Sequence, residues 1–367
     1  MFFEKIACAI TAFFLTTSIV PAANQGNKPE PVDPEILRGQ VLTILQREGI
    51  ASASICYKDS LQEICLSVVN TDFYAEKGMP EEAAAINEHS VYQAASISKI
   101  TFNHIFWKMR EEGYFNDLDQ PIYEVWPGML DLFNDDQKDL AKQITFRMAL
   151  THTTGLDRTM TKGPFVFKRI DKGFYPGADK FAYSNAAISI LGWAMEYLKG
   201  YEPGTGLTKI SREYIFDPLC MDDTSFEWID KYNSIAVHGF TNTDRKTWNN
   251  NWKGGKSNAA YSLRTNAKDY TKYLQWVMHG ANLSPETMKL MLEPLFPCTS
   301  AKVECRRTLG WFCEENELYG NIYRHNGSLP GFRGLACFIP KLDASFCVFV
   351  NTNTDYDVLQ EIRALFL

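Results

Sequence analysis

Segments with strand character lie near both ends of this chain, and helical patterns fill the long stretch between them. Near the start, ASASICYKD (51–59) and EICLSVVNTD (63–72) read as two strands around a turn-like KDSLQ. Toward the end, LGWFCEE, NIYRHNG, GLACFIP and SFCVFVNT read as further strands, and VLQEIRALFL as a closing helix. A lone hairpin is marginal in water. The economical arrangement is therefore one antiparallel sheet built from both ends of the chain. PEILRGQVLTILQRE (34–48) has helical spacing and would cover one face, and residues 115–290 would form a helical lobe. This is an α+β fold, with a site expected in the cleft between the lobes.

Residues 1–22 have the pattern of a signal peptide: Lys5, an apolar run Ile6 to Val20, and Val20 with Ala22 as small residues before cleavage at Ala23. The run is shorter than the roughly 20 apolar residues of a comfortable span. An uncleaved N-terminal anchor is the alternative. Residues 23–33 read as a polar, Pro-containing linker and 34–367 as one domain. After cleavage no membrane span is expected, and the chain would be periplasmic or secreted. Cysteine usage agrees, because removing Cys8 with the leader leaves eight cysteines, an even number suited to an oxidising compartment. Cys56 with Cys65 and Cys337 with Cys347 each flank a turn and could face one another, or remain buried free thiols. No Cys/His ligand spacing suggests a metal, and a net charge of −7 without a basic cluster argues against nucleic acid as partner.

The chemistry-bearing feature is Ser96-Ile97-Ser98-Lys99, at the start of the apolar helical run SISKITFNHIFWKMREEGYF. The motif occurs once, about what chance gives in a chain this long, so context decides its meaning. Residues three apart on a helix share a face, roughly 5–6 Å apart. A serine at a helix start also has free N–H groups nearby. A lysine beside it in an apolar setting either gives up its proton more readily, or stays charged and acts on a tyrosine. Tyr-x-Asn occurs at Tyr114-Asn116, Tyr183-Asn185 and Tyr319-Asn321. Only the middle one precedes an apolar helix, where Asn185 could cap the helix or bind substrate. His325-Asn326-Gly327 follows a strand pattern, and the glycine permits close backbone approach.

In this order and spacing the chain resembles the serine β-lactamase-like family, which includes class C β-lactamases, D-alanyl-D-alanine carboxypeptidases and esterases. The likeness covers about residues 35–355. It rests on Ser96-x-x-Lys99, on TFRMALTHTTGLDR (145–158), on YPGADKFAYSNAAISILG, on IFDPLCMDDTSF, and on His325-Asn326-Gly327 followed by LPGF. The resemblance implies a β-lactamase/transpeptidase-like fold and an exported serine hydrolase that acts through an acyl-enzyme, without a cofactor. The substrate would be a small molecule or peptide, such as a cell-wall peptide, an ester or a β-lactam. It also implies roles: Ser96 as nucleophile, Lys99 and Tyr183 as proton carriers, and Asn185 as the group that orients substrate or Lys99. His325, Asn326 and Gly327 would line the substrate strand, and the N–H groups of Ser96 and Ser328 would form the oxyanion hole. His152 would hold a buried loop. His325 stands where most β-lactamases have lysine. A histidine is mostly neutral at pH 7, so a peptidase, amidase or esterase is favoured over efficient β-lactam hydrolysis unless Arg333 supplies the charge. No Glu-x-x-Leu-Asn stretch supplies a separate deacylating carboxylate, which leaves Tyr183 for both half-reactions. The competing reading is a catalytically silent binding or sensor protein on the same scaffold. An intact Ser96, Lys99 and Tyr183 speak against it.

Overall fold

The computed structural model describes residues 33–157, 163–241, 247–248 and 256–367. The leader, and the linker except its last residue, lie outside the described residues. Helix α1 (Pro34–Arg47) begins at Asp33, whose carboxylate accepts the N–H of Glu35 while Pro34 occupies the first turn. Strands β1 (Ser52–Lys58) and β2 (Glu63–Val69) follow, then helices α2 (Ser98–Glu111), α3 (Asn185–Leu198) and α4 (Ala267–Met278). Six strands come next: β3 (Phe296–Ser300), β4 (Val303–Arg307), β5 (Phe312–Asn316), β6 (Gly320–Leu329), β7 (Phe332–Ile339) and β8 (Ala344–Val350). Helix α5 (Tyr356–Ala364) ends the chain.

The eight strands form one antiparallel sheet in the order β2-β1-β8-β7-β6-β5-β4-β3. The N-terminal hairpin joins the C-terminal strands through β1 and β8, with Ala53 opposite Val350 and Lys58 opposite Ser345. Alternation sorts the side chains. Ile55, Tyr57, Phe346 and Val348 pack under α1 and α5, while Cys56, Cys347 and Phe349 face the larger core shared with α2, α3 and α4. Strand β8 is buried along its whole length because both faces are covered.

Strands β3 and β4 were not evident from the sequence. Pro297 lacks an N–H and breaks the strand pattern, which is tolerated because β3 is the sheet's last strand. The disulfide Cys56–Cys65 is present, across directly opposed positions of β1 and β2. The Cys337–Cys347 pairing does not form, and both thiols are free and buried. Register is the reason: Cys337 is opposite Phe346 and Cys347 opposite Ala336, so the two sulfurs point to opposite faces of the sheet.

Candidate active site

The sequence around Ser96 forms a 3-10 turn, Ala95–Ile97, and the α-helix starts only at Ser98. Ser96 therefore caps nothing. It is the one residue between Val91 and Ile100 that is not buried. Ala95 has φ 51°, the left-handed region that costs an L-residue energy. Its surroundings hold it there. The Ser98 hydroxyl donates to Ala95 O at 2.6 Å and accepts the Leu263 N–H at 3.0 Å, and the Ala94 N–H donates to Leu263 O at 2.9 Å. A short ribbon pairing Tyr92 with Thr265 and Gln93 with Arg264 continues this clamp.

Lys99 is 2% exposed. Its Nζ lies 3.0 Å from Ser96 Oγ, 2.8 Å from Asn185 Oδ1 and 2.6 Å from Ala260 O. It also lies 4.9 Å from the centre of the Tyr183 ring. The amide oxygen and the carbonyl can only accept, so each takes one N–H of Lys99. At the third position Nζ faces a hydroxyl. An ammonium donates there, and a neutral amine accepts the proton of Ser96.

Helix α3 brings two of these groups. Its cap is Ser184, whose hydroxyl accepts the Ala187 N–H at 3.2 Å, so Asn185 is free to serve Lys99 instead of capping. Tyr183 precedes it on a segment held by His152. The His152 carbonyl accepts the Ala182 N–H at 2.8 Å, its Nδ1 accepts the Ser184 N–H at 3.2 Å, and its ring lies 4.4 Å from that of Tyr183. Burial holds His152 neutral, with its pKa well below the usual histidine value, and the charges of Arg307 and Lys99 act the same way.

Strand β6 forms the opposite wall. It pairs with β5 from Gly320 to Arg324 and then runs on with β7 alone, so from His325 onward its other edge has no strand partner among the described residues. That edge meets the turn of Ser96. A Cβ on Gly327 would fall well inside contact distance of Ala94 O, and only glycine permits this approach. Ser96, Tyr183, Asn185, His325, Asn326, Gly327, Ser328 and Arg333 all border one cleft of about 510 Å³. His325 is 1% exposed, and its Nδ1 lies 2.8 Å from Asn326 O. A carbonyl accepts, so Nδ1 carries the proton and Nε2 keeps a lone pair. That Nε2 is buried without a partner among the described residues. Burial, with the charges of Lys99 and Arg307, holds this ring neutral too. Asn326 is tethered away from Ser96, accepting from Arg324 at 3.1 Å and donating to Ser300 Oγ at 3.4 Å. The Arg333 guanidinium donates to Leu329 O at 2.7 Å and Phe332 O at 2.8 Å.

Two parts of this arrangement were not read from sequence. Ala260 contributes a backbone carbonyl, which carries no side-chain signal. The nearby Asn258 could have hinted at a turn: its Oδ1 accepts the Ala260 N–H at 2.8 Å. Arg307 is fully buried on β4, donating to Leu150 O at 2.7 Å and lying 4.7 Å from the Phe312 ring. Among the described residues no carboxylate pairs with it, and burial brings its pKa down to about 10. A fixed positive charge thus stands behind His152, Tyr183 and His325.

A family sequence model described as Beta-lactamase matches residues 68–366. Beta-lactamase-like protein 4 of Dictyostelium discoideum is 25% identical over 283 residues, which is 68% of this chain and 48% of that protein. The chain spans about half the length of the curated relatives it matches. Among solved structures, D-amino acid amidase from Ochrobactrum anthropi SV3 superposes with a TM-score of 0.68 at 17% identity, over 91% of this chain and 96% of that one. A D-alanine carboxypeptidase from Burkholderia cenocepacia gives 0.69 at 15% identity, over 90% and 98%. At such identities the structural likeness establishes the fold.

Proposed function

Because this chain belongs to the Beta-lactamase family, we propose that it is an exported serine hydrolase that cleaves an amide or ester through an acyl-enzyme on Ser96. The observation that carries the reading is the contact between Lys99 Nζ and Ser96 Oγ at 3.0 Å, with two further acceptors fixing the amine. Ser96 Oγ attacks the substrate carbonyl as its proton passes to Nζ. Tyr183, beside Nζ, delivers a proton to the leaving group and later draws one from the water that releases the acyl group. The N–H groups of Ser96 and Ser328 receive the oxyanion, an interaction worth about 3–4 kcal/mol of barrier per donor in such sites. The Cys56–Cys65 disulfide suits an oxidising compartment. No helix among the described residues is long and apolar enough to cross a membrane.

The charge of the site selects among substrates. His325, buried and neutral, supplies no cation where one would hold a carboxylate, so the site favours an uncharged substrate. One charge-assisted hydrogen bond is worth about 1.5–3 kcal/mol, or roughly 10–100-fold. We therefore expect kcat/KM for a short acyl ester or an amino acid amide to exceed that for a chromogenic cephalosporin by at least about tenfold. A fluorescent penicillin should still label the protein covalently, and Ser96→Ala should abolish the label. Labelling that survives Ser96→Ala refutes the acyl-enzyme, and a cephalosporin turned over fastest refutes the substrate assignment alone.

Gly327→Ala tests the close approach of β6. The added methyl forces the strand away from Ala94 and so moves the oxyanion donors relative to Ser96. The expected result is a loss of about 100-fold in kcat/KM for the ester, with an unchanged far-UV circular dichroism spectrum. A variant as active as the parent would show that this contact does not set the geometry.

A further inference from the structure

Strands β3 and β4 form a hairpin with one face toward the cleft and one away from it. Its tip, Thr299 to Lys302, borders the cleft. The two turn residues, Ala301 and Lys302, have φ 50° and 65° without being glycine or asparagine, so the turn is strained. The tip is wired to β6: Ser300 O accepts from Arg324 at 3.3 Å, and Ser300 Oγ accepts from Asn326 at 3.4 Å. Three residues from the turn on each strand are Cys298 and Cys305, directly opposed in register with sulfurs 3.5 Å apart. Opposed residues of an antiparallel pair have Cα atoms about 4.5–5.5 Å apart, within the range a disulfide spans. The same chain closes Cys56 to Cys65 at an equivalent pair of opposed positions. Cys298 and Cys305 border a second cavity of about 540 Å³.

We propose that Cys298 and Cys305 are a redox couple, and that their disulfide staples the hairpin that forms one wall of the cleft. The oxidant is a small disulfide such as glutathione disulfide. The Cys305 thiolate attacks one sulfur of that disulfide, forming a mixed disulfide and releasing one thiolate. Cys298 then loses its proton and attacks the Cys305 sulfur, forming the internal bond and releasing the second thiol. Two protein thiols are oxidised, and one external disulfide is reduced to two thiols. Cys305 is suited to attack first. The hydrogen bond from Cys298 and the charges of Arg324 and Arg307 bring its pKa down to about 7, against the opposing effect of burial. Cys305 is 7% exposed and Cys298 half-buried, whereas the third nearby cysteine, Cys313 on β5, is 0% exposed, and burial pushes its thiol up to about 12.

The test uses the full chain equilibrated with glutathione disulfide, then alkylated, digested with trypsin and mapped by mass. Cleavage at Lys289, Lys302 and Arg306 separates the two cysteines, so the expected product is peptide 290–302 joined to peptide 303–306. Both cysteines alkylated, or Cys305 joined to Cys313, overturns the proposal. This map needs no turnover and stands apart from the hydrolase reading. The coupling to the cleft rests on that reading. KM for the ester should differ at least threefold between the oxidised and reduced protein, while the double variant Cys298→Ser, Cys305→Ser, which can form neither the internal bond nor the mixed disulfide, should be indifferent to the same treatments. Equal KM in both forms overturns the coupling. A response that persists in that double variant points to Cys56–Cys65 and overturns it as well.

Discussion

Lys99→Met and Ser96→Ala should each lower kcat/KM for an acyl ester by about 10,000-fold or more, and the double variant should be scarcely worse than either. In the proposed mechanism the two side chains act as one device, so removing either removes the attack. Without Nζ the hydroxyl of Ser96 has no acceptor in place for its proton. Without the hydroxyl there is no bond to form. Stability should move the other way for Lys99→Met, which should melt no lower than the parent. A polar amine held 2% exposed costs desolvation, and methionine fills the same volume without it. The measurements are ester hydrolysis and thermal melting on the three proteins. Additive losses, with the double variant as low as the product of the singles, would show that the two groups work independently.

Acid should unfold this protein early. His104, His152 and His325 are all buried, at 2%, 0% and 1% exposure, and burial lowers the pKa of each. For His104 the value is about 3. An unfolded chain binds protons on all three near the ordinary value of about 6.5. Their neutral burial therefore contributes stability that is fully present above pH 6.5. It is lost as pH falls from there toward the native values, because only the unfolded state takes up the protons. Each group contributes a slope of about 1.4 kcal/mol per pH unit, and three contribute about 4 kcal/mol per unit. Against a typical total of roughly 5–15 kcal/mol, that is enough to bring the unfolding midpoint above about pH 4. Urea midpoints at pH 7, 6 and 5 measure it. His104 packs 4.4 Å from the Trp276 ring and takes no part in the cleft, so His104→Phe should flatten the slope by about one proton. Parallel slopes in the two proteins would refute the assignment.

Much of this was legible in the amino-acid order because the signals were local or periodic. Alternation over 52–69 and 309–350 gave the sheet, and the Ser96, Lys99 and Tyr183 motifs gave the groups that meet in the cleft. What escaped was carried by backbone or by register. Ala260 acts through a carbonyl that every residue type has. Strand β3 hid behind Pro297. The Cys337–Cys347 pairing failed because closeness in sequence says nothing about which face of a sheet a side chain takes. Asn185 could have capped its helix or served the site; Ser184 beside it takes the cap, and Asn185 meets Lys99. Arg307 reads as a surface residue from composition alone, and only the packing of β4 against the Leu150 segment buries it.

The pairing of β1 with β8 has a consequence for how the polypeptide matures. Ser52–Lys58 acquires its inner neighbour only from residues 345–350, which are synthesised long after it. Until then the N-terminal hairpin presents a bare hydrogen-bonding edge, and closing so long an intervening loop is slow. A nascent chain is thus kept loose until that pairing forms. Any product that stops short of Ala344 would carry that open edge permanently and be prone to aggregate.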